Sequence, residues 1–400
     1  MTDPRRPDPW LRWLSLGVLI AVHGCASKAS TADGAEPAPA DPAVLPDAAG
    51  VADAAGEARG ASEGDSPSPA SDTALAEVSP PEAGPPEEPV GCPGEAIDPG
   101  LPGEGRDLVP LTSEPWANLL LVDDTGVFVA KLPDGASPAS IVSLPKAGGE
   151  KRLVASNHDV KAWTQDRQTL YWVDRGFFRP AVGRDPAPVM MLAKSGGAPV
   201  TLAANQPAPV GIALDGGAVY WVNLGTMPTN FHDGSIWRIT PGGAAAQRLT
   251  SDRSMPNDLT ARDGRLYWFE QLGLYTMPAE GAAPTKLGDE TVDFLAVDCR
   301  HVYVASQDGK IWRAPLSGGP PALLVDRGGD VTSIAIDAGF VYWTQNRESS
   351  MPGYGQILKI SKKGGAPVLI ADGQGLARAI ALDAGNVYWA ANGKVMKALK

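Results

Sequence analysis

The residues of this chain best suited to chemistry fall in three stretches. One, 175–188, carries Phe177, Phe178 and Arg179. The second, 224–234, carries Met227, Asn230, Phe231, His232 and Asp233, and the third, 347–355, carries Arg347, Glu348, Met351 and Tyr354. Aromatic rings beside guanidinium and amide groups suit recognition of a protein segment, a peptide or a glycan. Local packing of the loops is the other reading of the same Phe and Met side chains. Hydrolytic chemistry has little to stand on. Beyond residue 105 there is no GxSxG elbow, and no HExxH or clustered His/Cys spacing. His158, His232 and His301 are far apart in the chain. The pair His232-Asp233 alone offers a beginning of a metal site. No catalytic residue and no cofactor is expected, and the chain is read as leaning away from an enzyme.

These stretches interrupt a repeat, and the repeat must position them. Leu214-Asp215 leads to Val219-Tyr220-Trp221, Ile336-Asp337 to Val341-Tyr342-Trp343, and Leu382-Asp383 to Val387-Tyr388-Trp389. Aligning on the aromatic gives the anchors Phe128, Tyr171, Tyr220, Tyr267, Tyr303, Tyr342 and Tyr388, with a period of about 40 residues. The copy from Ser333 to Asp372 splits into four short apolar stretches rich in β-branched or aromatic residues and bounded by Gly, Asp or Pro. That is the grammar of strands and hairpins. No segment beyond residue 105 has helical periodicity over a dozen residues. Four-stranded units repeated about seven times predict an all-β fold, a seven-bladed β-propeller of antiparallel blades, with six blades as the alternative. Ala213, Ala296, Ala335 and Ala381 on the first strands suit the crowded axis, and Tyr and Trp on the second strands fill the diverging space further out.

The ends of the repeat predict how the ring closes. The last unit stops after a third strand, Gly393 to Leu399, and Asp107 to Thr112 reads as a fourth strand placed ahead of the first unit. A 3+1 closure would remove an open edge. The turns between first and second strands are short and carry a recurring Asp, which suits tight turns. In one of them, Asp298-Cys299-Arg300, a cysteine stands where sister copies have Ala or Gly. Cys92 precedes the closing strand by a stretch that can reach the same face at about 3.3–3.6 Å per residue. A Cys92–Cys299 disulfide would pin the upstream segment to that face; two unrelated thiols are the alternative.

Upstream of the repeat the chain changes character. Arg5, Arg6 and Arg12, then the apolar run from Trp13 to Val22, read as a bacterial export signal too short to span a membrane comfortably. Residues 26–105 contain no aromatic residue and are rich in Ala, Pro, Gly, Ser, Asp and Glu. Such a stretch cannot bury enough apolar surface to fold, so a disordered tether is expected. Between Lys28 and Gly91 thirteen acidic residues face two basic ones, which accounts for nearly all of the formal net charge of −12. The acidity thus belongs to the tether, and the 106–400 region is close to neutral. Nothing in that balance points to nucleic acid.

Four resemblances bear on function. Val22-His23-Gly24-Cys25 resembles the lipobox of bacterial lipoproteins, although His23 departs from the small residue usual there. This resemblance implies a signal peptide over 1–25, lipidation of Cys25 and, with Ser27 where a retention Asp would sit, an outer-membrane lipoprotein facing the periplasm or the surface. Tyr171-Trp172-Val173-Asp174 and Tyr342-Trp343-Thr344-Gln345 resemble the YWTD repeats of propeller ectodomains, and the whole arrangement is similar to propeller lipoproteins of Gram-negative bacteria. Pro256-Asn257-Asp258…Asp263-Gly264-Arg265 resembles a segment of gluconolactonase-type propellers, which implies Asn257 and Asp258 as positions for a divalent metal. The expected protein is a monomeric, lipid-anchored binding scaffold for a protein or peptide partner. A metal-dependent lactonase-like hydrolase and a purely structural envelope protein are the alternatives.

Overall fold

The structure, a computed structural model, describes residues 108–400 apart from 177, 180–182, 272, 290–291, 307 and 348–353; for 178, 179, 183 and 184 it describes the backbone alone. Cys25, Cys92, Phe177, Glu348 and Met351 lie outside the described residues, as do the signal segment and the tether. Among the described residues no helix is long and apolar enough to cross a membrane.

Seven four-stranded antiparallel sheets follow one another along the chain. Six are built from consecutive strands over 117–156, 160–206, 209–253, 257–288, 294–326 and 330–371 and form blades 1 to 6. The seventh joins Ala377–Leu382, Asn386–Ala391 and Lys394–Leu399 to Val109–Ser113 from the other end of the described chain. First strands of neighbouring blades touch all round the ring, including Ala117–Val122 against Ala377–Leu382. The count is therefore seven, not six, and the 3+1 closure is present.

The closing strand is antiparallel to Lys394–Leu399, with Val109 opposite Lys397 and Ser113 opposite Lys394. Pro110 contributes no N–H, which an outermost strand tolerates. Leu111 is buried with Leu120, Val129 and Tyr388 across the seam between blades 7 and 1. Directly after the strand, the Glu114 N–H donates to the Gly393 carbonyl at 2.8 Å. The Glu114 carboxylate is fully buried and ion-paired with Lys131 at 3.1 Å and Lys151 at 2.5 Å. The join is thus held by a ladder, an apolar plug and a buried ion triad.

The Tyr-Trp pair has a simple mechanical meaning. Adjacent residues of a strand point to opposite faces, so each second strand that carries the pair sends Tyr into one seam and Trp into the other. Tyr171 packs with Trp221 of the next blade, Tyr220 with Trp268, Tyr303 with Trp343, and Tyr342 with Trp389. Phe128 does the same with Trp172. Trp172, Trp221, Trp268, Trp343 and Trp389 are fully buried. A buried indole N–H needs an acceptor; for three of the five the polar residue two positions on supplies it, while Trp221 donates to Gln206 at 2.9 Å and Trp389 to Gln374 at 3.0 Å. Trp172 donates to Asp174 at 3.0 Å, Trp268 to Glu270 at 2.7 Å and Trp343 to Gln345 at 3.0 Å. In blades 2, 4 and 6 the fourth residue of the YWTD-like motif is accordingly the acceptor for its second.

Candidate functional site

A ring of up-and-down blades has two faces of unequal character. The turns from first to second strand lie on one, which we call the turn face. The connections from second to third strand, and the crossovers between blades, lie on the other, the loop face.

The turn face is chemically closed. In five blades a turn Asp caps its own turn, accepting two backbone N–H groups: Asp123, Asp166, Asp298, Asp337 and Asp383. In all but Asp123, whose anchor is Phe128, the second oxygen takes the anchor Tyr hydroxyl five residues on, as in Tyr342 to Asp337 at 2.9 Å and Tyr388 to Asp383 at 2.8 Å. A lysine that follows the third strand of the next blade then reaches back. Lys194 pairs with Asp123, Lys362 with Asp298 at 2.7 Å, Lys400 with Asp337 at 3.0 Å, and Lys146 with Asp383 at 3.0 Å. Three of these ammonium groups also sit over the anchor ring they serve, Lys194 over Phe128, Lys362 over Tyr303 and Lys400 over Tyr342. Burial alone would raise the four aspartates, but the lysine, hydroxyl and amide donors outweigh it. They hold Asp123, Asp298, Asp337 and, furthest, Asp383 below the usual carboxylate range. The recurring Asp is more than a turn former; it is half of a staple between blades. The sequence signal was the Lys just ahead of a Gly-Gly turn at Lys146, Lys194 and Lys362.

Cys299 lies on this face, in the first turn of blade 5, and is disulfide-bonded. The chain's other cysteines, Cys25 and Cys92, both lie outside the described residues.

The loop face is uneven. The loop of blade 2 contains a two-stranded hairpin, Phe178–Arg179 with Gly183–Arg184. In blade 3 a 3-10 turn, Met227–Thr229, ends on Asn230 in the left-handed region at φ 53°, and Phe231 follows at φ 59°. Asp233 knots this loop: its oxygens accept from the Thr226 N–H at 2.7 Å, the Thr226 hydroxyl at 2.7 Å and the Thr229 hydroxyl at 2.5 Å. Burial opposes these bonds, yet they keep the Asp233 pKa below its ordinary value. His232 is exposed, and its Nδ1 lies 2.5 Å from the Ser254 hydroxyl. His232 and Asp233 therefore have separate partners. In blade 6 the Arg347 Nε donates to Gln356 at 3.0 Å, and Tyr354 is half-buried.

The first strands line the central channel. In six of them the register slips by one residue near the loop-face end, at Asn118, Lys161, Val210, Asp258 with Leu259, Thr332 and Arg378. Bulges re-aim side chains, so charged groups appear at the channel that a regular strand would have paired away. Asp258 borders a cavity of about 290 Å³ between the first strands of blades 2, 3 and 4. Asp258 is half-buried, and burial raises its pKa against the opposing Leu259 and Leu295 N–H bonds and the Lys161 charge. Its oxygens accept the Leu259 N–H at 2.8 Å and, across the blade seam, the Leu295 N–H at 3.2 Å. Asn257 accepts the Asp258 N–H at 2.8 Å. Both residues thus bond backbone, and among the described residues no group of three or more His, Cys, Asp or Glu converges as a metal would require.

A second cavity, about 350 Å³, opens on the loop face where blade 7 meets blade 1. Pro115, Trp116, Leu376 and Ala391 form apolar wall, and Arg378 and Asn392 supply polar groups. Burial and the nearby Arg175 pull the Arg378 pKa down, while Tyr354 acts the other way. The charge on Arg378 is thus felt from two of the three loops singled out in the sequence, through Arg175 and Tyr354. The loop of blade 3 belongs to another part of the ring.

No family model matches this chain, and no curated protein matches it either. Solved structures do. A catalytically inactive virginiamycin B lyase from Staphylococcus aureus, determined with quinupristin, is 15% identical, with 74% of this chain and 99% of that chain covered and a TM-score of 0.56. The extracellular domain of a hybrid two-component system from Bacteroides thetaiotaomicron is 10% identical, with 74% of this chain and 39% of that chain covered and a TM-score of 0.54. A computationally designed protein is 15% identical, covers 74% and 99%, and has a TM-score of 0.51. At such identities the likeness is one of fold, and the fold of this chain is a closed seven-bladed β-propeller.

Proposed function

We propose that this chain is a binding scaffold of the bacterial cell envelope that holds a protein or peptide partner on its loop face. The observation that carries this reading is the contrast between the faces. The Asp, Tyr and Lys side chains of the turn face are bonded to one another, whereas the loop face presents uneven loops and a cavity with an unpaired cation. Binding groups on loops over a rigid frame are the common arrangement. The lipobox-like Cys25 would anchor the scaffold to the outer membrane, and the acidic tether would hold it off the surface. The likeness to YWTD-type lipoprotein propellers supports the same reading.

Replacing Phe177, Phe231 and Tyr354 together by Ala is expected to abolish capture of partners from envelope extracts while leaving the thermal unfolding midpoint within about 2 °C. Partners that survive the triple change would place binding elsewhere. We also propose that Cys299 pairs with Cys92, fixing the end of the tether to the turn face. Peptide mapping after alkylation under non-reducing conditions should return a Cys92–Cys299 linked pair; a free Cys92 thiol would refute the pairing.

A further inference from the structure

The cavity at the junction of blades 7 and 1 has features that the ring itself does not require. Among the described residues Arg378 has no ion-pair or hydrogen-bond partner. A half-buried guanidinium without an anion is costly, and a neighbouring cation, Arg175, adds repulsion. The backbone that carries Arg378 is nevertheless held firmly, at the preceding residue. Asn346 receives the Ala377 N–H at 3.0 Å and donates to the Ala377 carbonyl at 3.0 Å, and the Thr332 hydroxyl adds a bond to that carbonyl at 2.9 Å. Arg378 is the next residue, in the register slip between Ala377 and Ala379.

The opposite wall is also out of the ordinary. Trp116 has φ 69°, a left-handed conformation that glycine would take at less cost. Strain of this kind persists where the surroundings or a function over-determine it. Leu376, on the crossover into blade 7, is an exposed large apolar residue of the loop face; the others among the described residues lie on or beside outermost strands or at the chain end. Gly375 lets the crossover approach the Asn392 turn, since a Cβ there would meet Asn392 atoms at 2.9–3.1 Å.

An unpaired planar cation facing an indole and a leucine, in a space of about 350 Å³, fits one carboxylate attached to one apolar side chain. Guanidinium takes a carboxylate through two parallel N–H bonds, and the Asn392 amide stands beside it for an adjoining peptide group. We infer that the Trp116–Leu376–Arg378–Asn392 pocket binds the free C-terminal carboxylate of a peptide that ends in an aromatic or aliphatic residue. This deepens the peptide-scaffold reading and rests on it.

The test uses the full-length protein in detergent and a dye-labelled hexapeptide ending in Phe, read by fluorescence anisotropy. The free acid should bind at least about tenfold more tightly than the same peptide amidated at its C-terminus, the loss expected for a charge-assisted hydrogen-bond pair. Arg378→Gln should weaken the free acid by a similar factor with an unchanged unfolding midpoint, and Arg378→Lys should recover part of it. Equal binding of acid and amide, or indifference to Arg378→Gln, overturns the pocket assignment. So does saturable binding of 3-phenylpropionate without binding of the peptide, which would make the occupant a small acid. Partner capture that persists in Arg378→Gln, with the free-acid peptide failing, would reject the pocket and leave the loop-face scaffold standing.

Discussion

A chain lacking residues 105–113 is expected to lose the cooperative unfolding of the entire ring, not merely of its last blade. The closing strand Val109–Ser113 is the fourth strand of blade 7 and the partner of Lys394–Leu399. Its loss removes the burial of Leu111, worth about 2 kcal/mol, and several ladder hydrogen bonds at about 1 kcal/mol each. It also cuts the chain just ahead of Glu114, whose buried carboxylate pairs with Lys131 and Lys151. Together these approach about 6 kcal/mol, comparable with the roughly 5–15 kcal/mol net stability of a native domain. The damage spreads because every core cluster is shared between neighbouring blades. Thermal unfolding followed by near-UV circular dichroism should show a fall in midpoint of at least about 15 °C, or no folded baseline at all. A truncated chain that melts like the intact one would show that the ring does not depend on its clasp.

Acid should open the same ring at its seams. Asp123, Asp298, Asp337 and Asp383 each have a folded-state pKa below the ordinary 3.8. A group with a depressed pKa contributes stability that is fully present above its unfolded pKa and is lost as pH falls through the folded one. The loss therefore begins near pH 4 and deepens below it, with the unfolded chain taking up more protons. Solvent reaches all four staples, so each contributes only about 1 kcal/mol. Four together come to about 4 kcal/mol, enough to dominate the acid limb. Unfolding midpoints should be flat from pH 7 to about 5 and drop steeply below 4. Asp383→Asn should be less stable at pH 7 and show a shallower acid slope. A midpoint that holds steady to pH 3, or an Asp383→Asn chain with an unaltered profile, would remove the staples from the account.

Much of this frame is legible in the residues themselves. Tyr and Trp in alternation mark the second strands, the glycine turns mark the hairpins, and a unit short of one strand exposes the closure. What escapes is whatever one blade does to the next. Lys362 looks like an ordinary surface lysine until Asp298, 64 residues earlier, is placed beneath it. Asp174, Glu270 and Gln345 read as strand-end polar residues, yet they are acceptors for buried indoles. The pocket draws Pro115–Ala117 together with Leu376–Gly393 from opposite ends of the described chain. Arg378 stands in an unremarkable Ala-Arg-Ala run, and only the register slip and the missing acid distinguish it. Of the loop residues singled out by composition, Asn230 and Asp233 turn out to shape or knot their loop, through a left-handed cap and three hydrogen bonds. Phe231, Arg347 and Tyr354 stand as binding candidates. Asn257 and Asp258 bond backbone N–H groups.

Whether partners meet this propeller on its loop face can be read by photo-crosslinking in intact cells, with a benzophenone amino acid placed at position 231 or 354 on the loop face, or at 216 or 384 on the turn face. Discrete higher-mass adducts are expected from 231 and 354 and none from 216 and 384. Adducts confined to the turn-face positions would contradict loop-face binding.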